Sequence, residues 1–142
     1  MTTLADKAKE YYTKGYSCSE SIIQAANDFG ILPQGTDVNQ LNKIASAFSG
    51  GMGAGCLCGA VAGSQIITGL IYGRENKDSS PAEVKNKAKQ VIDDFKKLRK
   101  TTCCRALTAP SHITPENRRA YCADIVRDAA GVLENIVFAG VK

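Results

Sequence analysis

The six cysteines are the residues of this chain whose type and spacing point most directly to chemistry. They include one C-x-C pair and one C-C pair, and their positions are Cys18, Cys56, Cys58, Cys103, Cys104 and Cys122. Where thiols are kept reduced, cysteines bind metal, carry out redox chemistry or pack in the core. A single buried cysteine is usually a core residue. Six in 142 residues indicate a metal or redox site instead.

The C-x-C pair lies in a glycine-rich stretch, FSGGMGAGCLCGAVAGSQ, which covers residues 48–65. Six positions in it are glycine: Gly50, Gly51, Gly53, Gly55, Gly59 and Gly63. Glycine inside a helix or strand costs about 0.5–1 kcal/mol relative to alanine, so this density needs a reason. Either a group approaches the backbone closely, or the stretch is a flexible connector that leads into a tightly packed helix.

The remaining sequence predicts helices. A capping box joins Ser17 to Glu20, Asp37 with Gln40 opens a further helix, and Pro81 occupies a first helical position. Apolar residues repeat at helical spacing over residues 3–14, 17–29, 37–48, 58–72, 81–98 and 114–136. Residues 58–72 could form a strand, but their length and small side chains favour a helix. We therefore expect an all-α fold over residues 1–142, a compact single-domain bundle of five or six helices with a glycine-rich loop before the Cys58 helix.

The predicted helices place several cysteines where a thiolate is favoured. Cys18 directly follows the Ser17 cap, and Cys58 stands where the glycine-rich loop enters the next helix. The unpaired N–H groups and partial positive charge of a helix N-terminus stabilise a thiolate. Arg105 follows the C-C pair and would offset negative charge there. Cys122 lies on the apolar stripe of the last helix, where core packing explains it equally well.

The segment CGAVAG at residues 58–63 resembles the signature of the C_GCAxxG_C_C family of redox-active proteins. The resemblance extends to GYSCSESI, FSGGMGAG, CRAL and CADIVRDAAGVLENI, and so covers most of the chain. The family is characterised by four cysteines, which match Cys18, Cys58, Cys104 and Cys122. Cys56 and Cys103 are additions, so either could replace its neighbour Cys58 or Cys104 as the functional sulfur.

The resemblance implies a redox role, and an iron–sulfur cluster, most simply [2Fe–2S], held by Cys18, Cys58, Cys104 and Cys122 for electron transfer. Split-Soret cytochromes c, which carry haem and an iron–sulfur centre, are similar to this family. The sequence has no C-x-x-C-H motif and one histidine, His112, so we expect no haem. A thiolate-ligated cluster is anionic, and its potential depends on hydrogen bonds to sulfur. Gly53, Gly55 and Gly59 are the candidates for close backbone contact with it.

Two alternatives to a cluster stay open. In the first, no metal binds, and Cys58 or Cys18 acts as a low-pKa thiol that cycles between dithiol and disulfide. In the second, Zn²⁺ occupies a structural four-cysteine site. Paired C-x₂₋₄-C knuckles are typical of such zinc sites and are missing here, so zinc ranks last. Whether the protein is an enzyme is left undecided.

Composition and motifs argue against several other functions. The net charge is +4, and the basic segments KNKAKQ and KKLRK lack interleaved aromatic residues, so we expect no nucleic-acid partner. GMGAGC follows no strand, which argues against nucleotide binding. No spanning apolar run or secretory signal is present, so we expect no membrane association and a cytoplasmic location. The redox role implies a partner protein that the sequence does not identify, and a homodimer stays open.

Overall fold

The computed structural model describes residues 2–139, and within them the chain forms seven helices and no β-strand. Their bounds are α1 Leu4–Thr13, α2 Cys18–Asp28, α3 Val38–Ser46, α4 Gly59–Tyr72, α5 Ala82–Arg99, α6 Cys104–Leu107 and α7 Arg118–Val137. The all-α prediction is confirmed. Six of the helices match the predicted segments, and the seventh, α6, is a single turn that begins at the C-C pair.

Local capping explains where the helices begin. The predicted box forms at α2, where the Ser17 backbone N–H donates to the Glu20 carboxylate at 2.9 Å. Asp37 caps α3 by accepting from two backbone N–H groups of the first turn. The last helix begins at Arg118 rather than at 114. Thr114 and Asn117 bond each other through backbone and side chain and so form a turn before it.

The core is one continuous cluster of apolar side chains in which α4 is central. Helix α4 packs against α2, α5 and α7, while α7 also packs against α1. Helices α2 and α4 approach closely at Gly63, where a Cβ would meet the Ser19 carbonyl oxygen of α2 at 2.8 Å. Among residues 2–139, no helix combines the length and apolarity needed to cross a membrane.

The glycine-rich segment folds into a left-handed turn, Gly51–Gly55, which we call the glycine turn. Met52 has φ 64° and ψ 28°, and Gly53 has φ 71°, values that non-glycine residues rarely adopt. The segment is therefore a defined structure rather than a flexible connector. It leads into residues 56–58, which run antiparallel to residues 102–104 through a bridge between Leu57 and Cys103.

Candidate functional site

Four cysteines from four separate segments line a single cavity of about 90 Å³, which we call the cysteine cavity. They are Cys18, Cys58, Cys104 and Cys122, the four cysteines predicted as metal ligands. The remaining wall is formed by Tyr12, Gly50, Gly59, Leu107, Thr108, Arg118, Ile125 and Val126. A single water needs about 10–15 Å³, so the cavity has room for a group of several atoms.

Two of the cysteines stand at the beginnings of long helices. Cys18 is the first residue of α2, directly after the Ser17 cap, and Cys58 is the N-cap residue of α4. Cys122 lies one turn into α7, four residues after Arg118, so both side chains share one face of that helix. The N-termini of α2, α4 and α7 therefore meet at the cysteine cavity, and their partial positive charges favour an anionic occupant.

Backbone pairing brings Cys104 to Cys58 across 46 positions of sequence. The Cys58 N–H donates to the Thr102 carbonyl at 2.7 Å, and the Cys104 N–H donates to the Cys56 carbonyl. These bonds flank the bridge between Leu57 and Cys103, and they hold the start of α6 beside the start of α4.

Gly59, one of the three glycines predicted to contact a bound group, lies in the cavity wall. A Cβ at Gly59 would collide with Cys18 Sγ and would lie 3.0 Å from the Phe48 carbonyl oxygen. The absence of a side chain at this position is what leaves room for the Cys18 sulfur between α2 and α4.

The other two predicted glycines lie outside the cavity wall. A Cβ at Gly53 would meet nothing within 4 Å, and one at Gly55 would meet the Arg105 side chain. Both have positive φ values, so the left-handed turn accounts for glycine at these two positions. Gly50 lines the cavity instead, and its backbone N–H favours the thiolate form of Cys18.

Burial keeps the cavity thiols protonated. Desolvation raises the pKa of Cys58 to about 12, although the backbone N–H groups of Val61 and Ala60 act in the opposite direction. Desolvation also raises the pKa of Cys18, against the N–H groups of Gly50 and Ser19. The expectation of low-pKa thiols at these two helix starts was therefore wrong. The cavity excludes enough water to outweigh the helix N-termini.

Two polar side chains in the cavity were missed by the sequence analysis. Burial raises the pKa of Cys104 and Cys122, and the positive charge of the nearby Arg118 guanidinium lowers both. Tyr12 lies beside Cys122 in the cavity wall, and burial together with that neighbour raises the pKa of Tyr12 to about 12. The i, i+4 spacing of Arg118 and Cys122 was a usable signal, whereas nothing local marked Tyr12.

The Tyr12 ring is held in place by the neighbouring arginine of α7. The Arg119 guanidinium lies 4.1 Å from the ring centroid and donates to the Tyr12 and Tyr16 carbonyls. Arg105, predicted to offset charge near Cys104, instead donates to the Ala54 carbonyl at 3.1 Å on the outside of the glycine turn. Arg118 takes the position expected for Arg105.

The two additional cysteines do not line the cysteine cavity. Cys56 is exposed, and Cys103 is half-buried with its thiol 3.5 Å from the Gly55 carbonyl oxygen. The structure thus separates the members of each close pair, with Cys58 and Cys104 inside and Cys56 and Cys103 outside.

The residue types at the cavity, four cysteines, are those that iron–sulfur clusters use as ligands. Four cysteine sulfurs are the usual ligands of such clusters, and the Cβ-free wall at Gly59 keeps space beside one of them. Within residues 2–139, no three His, Cys, Asp or Glu side chains are grouped so as to hold one metal ion. The four cysteines line one cavity but are not grouped about a single metal ion.

Residues 16–136 match the family described as "Putative redox-active protein (C_GCAxxG_C_C)". This range includes all six cysteines and every helix that lines the cavity except α1. No curated protein and no solved structure matches the chain.

Proposed function

The chain belongs to the C_GCAxxG_C_C family of redox-active proteins, and on that premise we propose that the cysteine cavity is its redox centre and holds an iron–sulfur cluster for electron transfer. One observation carries the proposal: four cysteines from distant segments line one small cavity at which three helix N-termini meet. Cys18, Cys58, Cys104 and Cys122 are the proposed ligands, and [2Fe–2S] is the cluster type that we favour. Such a cluster, when bound, supplies one-electron transfer at a potential that its surroundings set.

The charges around the cavity support an anionic occupant. The positive charge of Arg118 favours thiolates at Cys104 and Cys122, and backbone N–H groups at the starts of α2 and α4 favour thiolates at Cys18 and Cys58. Metal ligation deprotonates a thiol outright, which removes the obstacle that burial poses to these four sulfurs. The chain thus supplies donors and positive charge that would stabilise thiolate ligands.

In this proposal, the polar residues of the cavity wall influence the cluster potential and the apolar residues exclude water. Tyr12 lines the cavity beside Cys122, and donation from its hydroxyl to that sulfur would raise the potential of a cluster, because it would stabilise the more negative reduced state. Leu107, Ile125 and Val126 exclude water from the other side. Cys104 and Cys122 are partly exposed, so the redox partner protein that we propose would dock beside them.

The same four thiols support a second candidate, metal-free cycling between dithiol and disulfide. The lack of a metal-holding group of side chains within residues 2–139 favours it. The raised pKa of Cys58 and Cys18 disfavours it, because the thiolate is the nucleophile in disulfide exchange.

Anaerobic purification followed by iron and sulfide analysis tests the proposal, and the chain offers matched controls. We expect visible absorption with stoichiometric iron and sulfide. Cys58→Ser and Cys104→Ser should abolish or strongly reduce the iron content, whereas the adjacent changes Cys56→Ser and Cys103→Ser should leave it unchanged.

Colourless protein without iron after reconstitution would refute the cluster. In that case a reversible loss of two hydrogens among the four cavity cysteines would establish the dithiol function. Stoichiometric zinc without visible absorption would indicate a structural site. Equal iron loss in Cys56→Ser and Cys58→Ser would refute the ligand assignment.

A further inference from the structure

Arg119, in the first turn of α7, contacts two segments that are distant from it in sequence. Its guanidinium donates to the Tyr12 carbonyl near the end of α1 and, at 3.0 Å, to the Tyr16 carbonyl in the connection that leads to α2. Each of the three joined segments carries a residue of the cavity wall: Tyr12 itself, Cys18 soon after Tyr16, and Cys122 on α7. One side chain therefore ties together three parts of the cysteine cavity.

The end of α1 explains why this contact uses an arginine. The last turn of α1 contains no basic residue of its own. Carbonyl groups at a helix C-terminus lack intrahelical partners and carry partial negative charge, so a cation from another segment is favourable there. The planar guanidinium of Arg119 donates to two carbonyls while it lies 4.1 Å from the centroid of the Tyr12 ring. A lysine ammonium cannot reproduce that geometry, so the contact depends on the shape of the side chain as well as on its charge.

The Tyr12 ring has Arg119 on one side and the cysteine cavity on the other. Tyr12 is buried and lines the cavity with Cys122, whereas Arg119 is exposed and does not line it. The guanidinium therefore covers the ring from the solvent side. Cys122 is only half-buried, so displacement of the ring would open the cavity at that thiol.

We propose that Arg119 is a positioning residue of the redox centre, which holds Tyr12 beside Cys122 and so closes the cysteine cavity at that sulfur. Closure of the cavity is a property of the chain without a metal. The effect on reduction potential rests on the proposed function, since donation from the Tyr12 hydroxyl to Cys122 would raise the potential of a bound cluster. Arg119 is outside the cavity wall and acts through Tyr12.

Site-resolved alkylation of the whole chain, prepared without iron, tests the closure. Reduced protein is treated anaerobically with iodoacetamide, sampled over time and digested, and mass spectrometry measures the labelled fraction of Cys122 and of Cys58. Arg119→Gln should raise the rate at Cys122 about three- to tenfold, the size expected for loss of a cation–π contact together with its hydrogen bonds. The rate at Cys58, deeper in the cavity, should rise much less.

Two further variants separate positioning from charge and from general loosening of the bundle. Arg119→Lys keeps the charge but loses the planar guanidinium, so its Cys122 rate should resemble that of Arg119→Gln. Arg127→Gln removes another contact between α7 and α1, the ion pair with Asp6 at 3.0 Å, and neither of these residues lines the cavity. It should leave the Cys122 rate unchanged. Circular dichroism confirms that each variant is folded.

In iron-loaded protein, the same variants should change the reduction potential. Arg119→Gln and Arg119→Lys should lower it, since the Tyr12 hydroxyl is no longer held beside Cys122 to stabilise the reduced state. In a Tyr12→Phe background, which already lacks the hydroxyl, Arg119→Lys should cause a much smaller shift. Spectroelectrochemical titration measures these potentials.

Four results would overturn the proposal. They are an unchanged Cys122 rate in Arg119→Gln, restoration of that rate by Arg119→Lys, an equal rise in Arg127→Gln, and an equal rise at Cys58 and Cys122. Protein that contains no iron after reconstitution would refute the cluster and leave the alkylation test intact. Failure of the cluster proposal and failure of the Arg119 proposal are thus distinguished.

Discussion

At the scale of single residues, Gly59 constrains the cysteine cavity most tightly. Because Gly59 has no side chain, Cys18 Sγ fits beside it. Gly59 also directly follows Cys58 in the chain, so this one position lies next to two of the four cavity cysteines. Tyr12 and Arg118 add a hydroxyl and a positive charge to the cavity wall beside Cys122 and Cys104. Each of these roles depends on a contact with another segment, because the residue types alone are compatible with many environments.

Gly59→Ala should destabilise the protein by about 1–3 kcal/mol and reduce iron loading, because the added methyl group displaces the Cys18 sulfur. Gly69→Ala is the matched control in the same helix, where a Cβ meets nothing within 4 Å. It should gain about 0.5–1 kcal/mol through helix propensity. Urea denaturation measures the change in unfolding free energy of both variants. Equal effects of the two changes would contradict the close contact at Gly59.

At the scale of elements, the cavity depends on the local structures that precede two of its helices. These are the glycine turn before Cys58 at the start of α4 and the capping box before Cys18 at the start of α2. The turn places Met52 in a left-handed conformation that favours glycine, which makes it a local store of strain. The capping box fixes the first turn of α2, and with it the position of Cys18.

Met52→Gly should stabilise the protein by about 0.5–1 kcal/mol, since relief of the left-handed strain exceeds the added chain entropy of glycine. Ala54→Gly, two residues later and without a positive φ, should instead cost about 0.5–1 kcal/mol. Thermal unfolding distinguishes the two. A loss of stability in Met52→Gly would mean that the Met52 side chain makes a contact worth more than the strain.

Ser17→Ala should cost about 1 kcal/mol of stability, because it removes a helix cap, and should also lower iron loading through the displacement of Cys18. Thr3→Ala removes an equivalent capping box from α1 at a similar cost in stability. It should leave iron loading unchanged, since Thr3 lies outside the cavity. Denaturation and iron analysis are compared for both variants, and equal loading in both would refute the role of the Ser17 cap in positioning Cys18.

At the scale of the whole molecule, the bundle buries thiol groups that would be exposed in the unfolded chain. The pKa of Cys58 rises from the ordinary 9.0 to about 12 in the folded protein. The folded state therefore holds the Cys58 proton more tightly than the unfolded state does. Stability from this group is complete below pH 9 and is lost as pH rises toward 12.

The metal-free protein should thus lose up to about 1.4 kcal/mol of unfolding free energy per pH unit from Cys58 in this window. Denaturation at pH 8, 9 and 10 measures the slope. Cys58→Ala removes the titrating group and should flatten the slope by a corresponding amount. An unchanged slope in that variant would show that other groups cause the pH dependence.

Much of the fold could be predicted from the sequence because the signals for it are local. Caps at Ser17 and Asp37 and the helical spacing of apolar residues depend on neighbours within a turn or two, and they placed six helices correctly. The same signals put Cys18 and Cys58 at helix starts. The late start of α7 at Arg118 was missed because a Thr114–Asn117 turn resembles a cap in sequence.

The order of the cysteine-containing segments resembles a known family, and that resemblance identified the four cysteines that share the cavity. The tertiary structure determined the environment of these cysteines. Local sequence placed two thiols at helix N-termini, but burial by distant segments raised their pKa instead. Arg118 rather than Arg105 reaches the sulfurs, because the glycine turn holds Arg105 on its outer side. Desolvation and cross-chain contacts depend on residues far apart in sequence, and so only the folded bundle determines them.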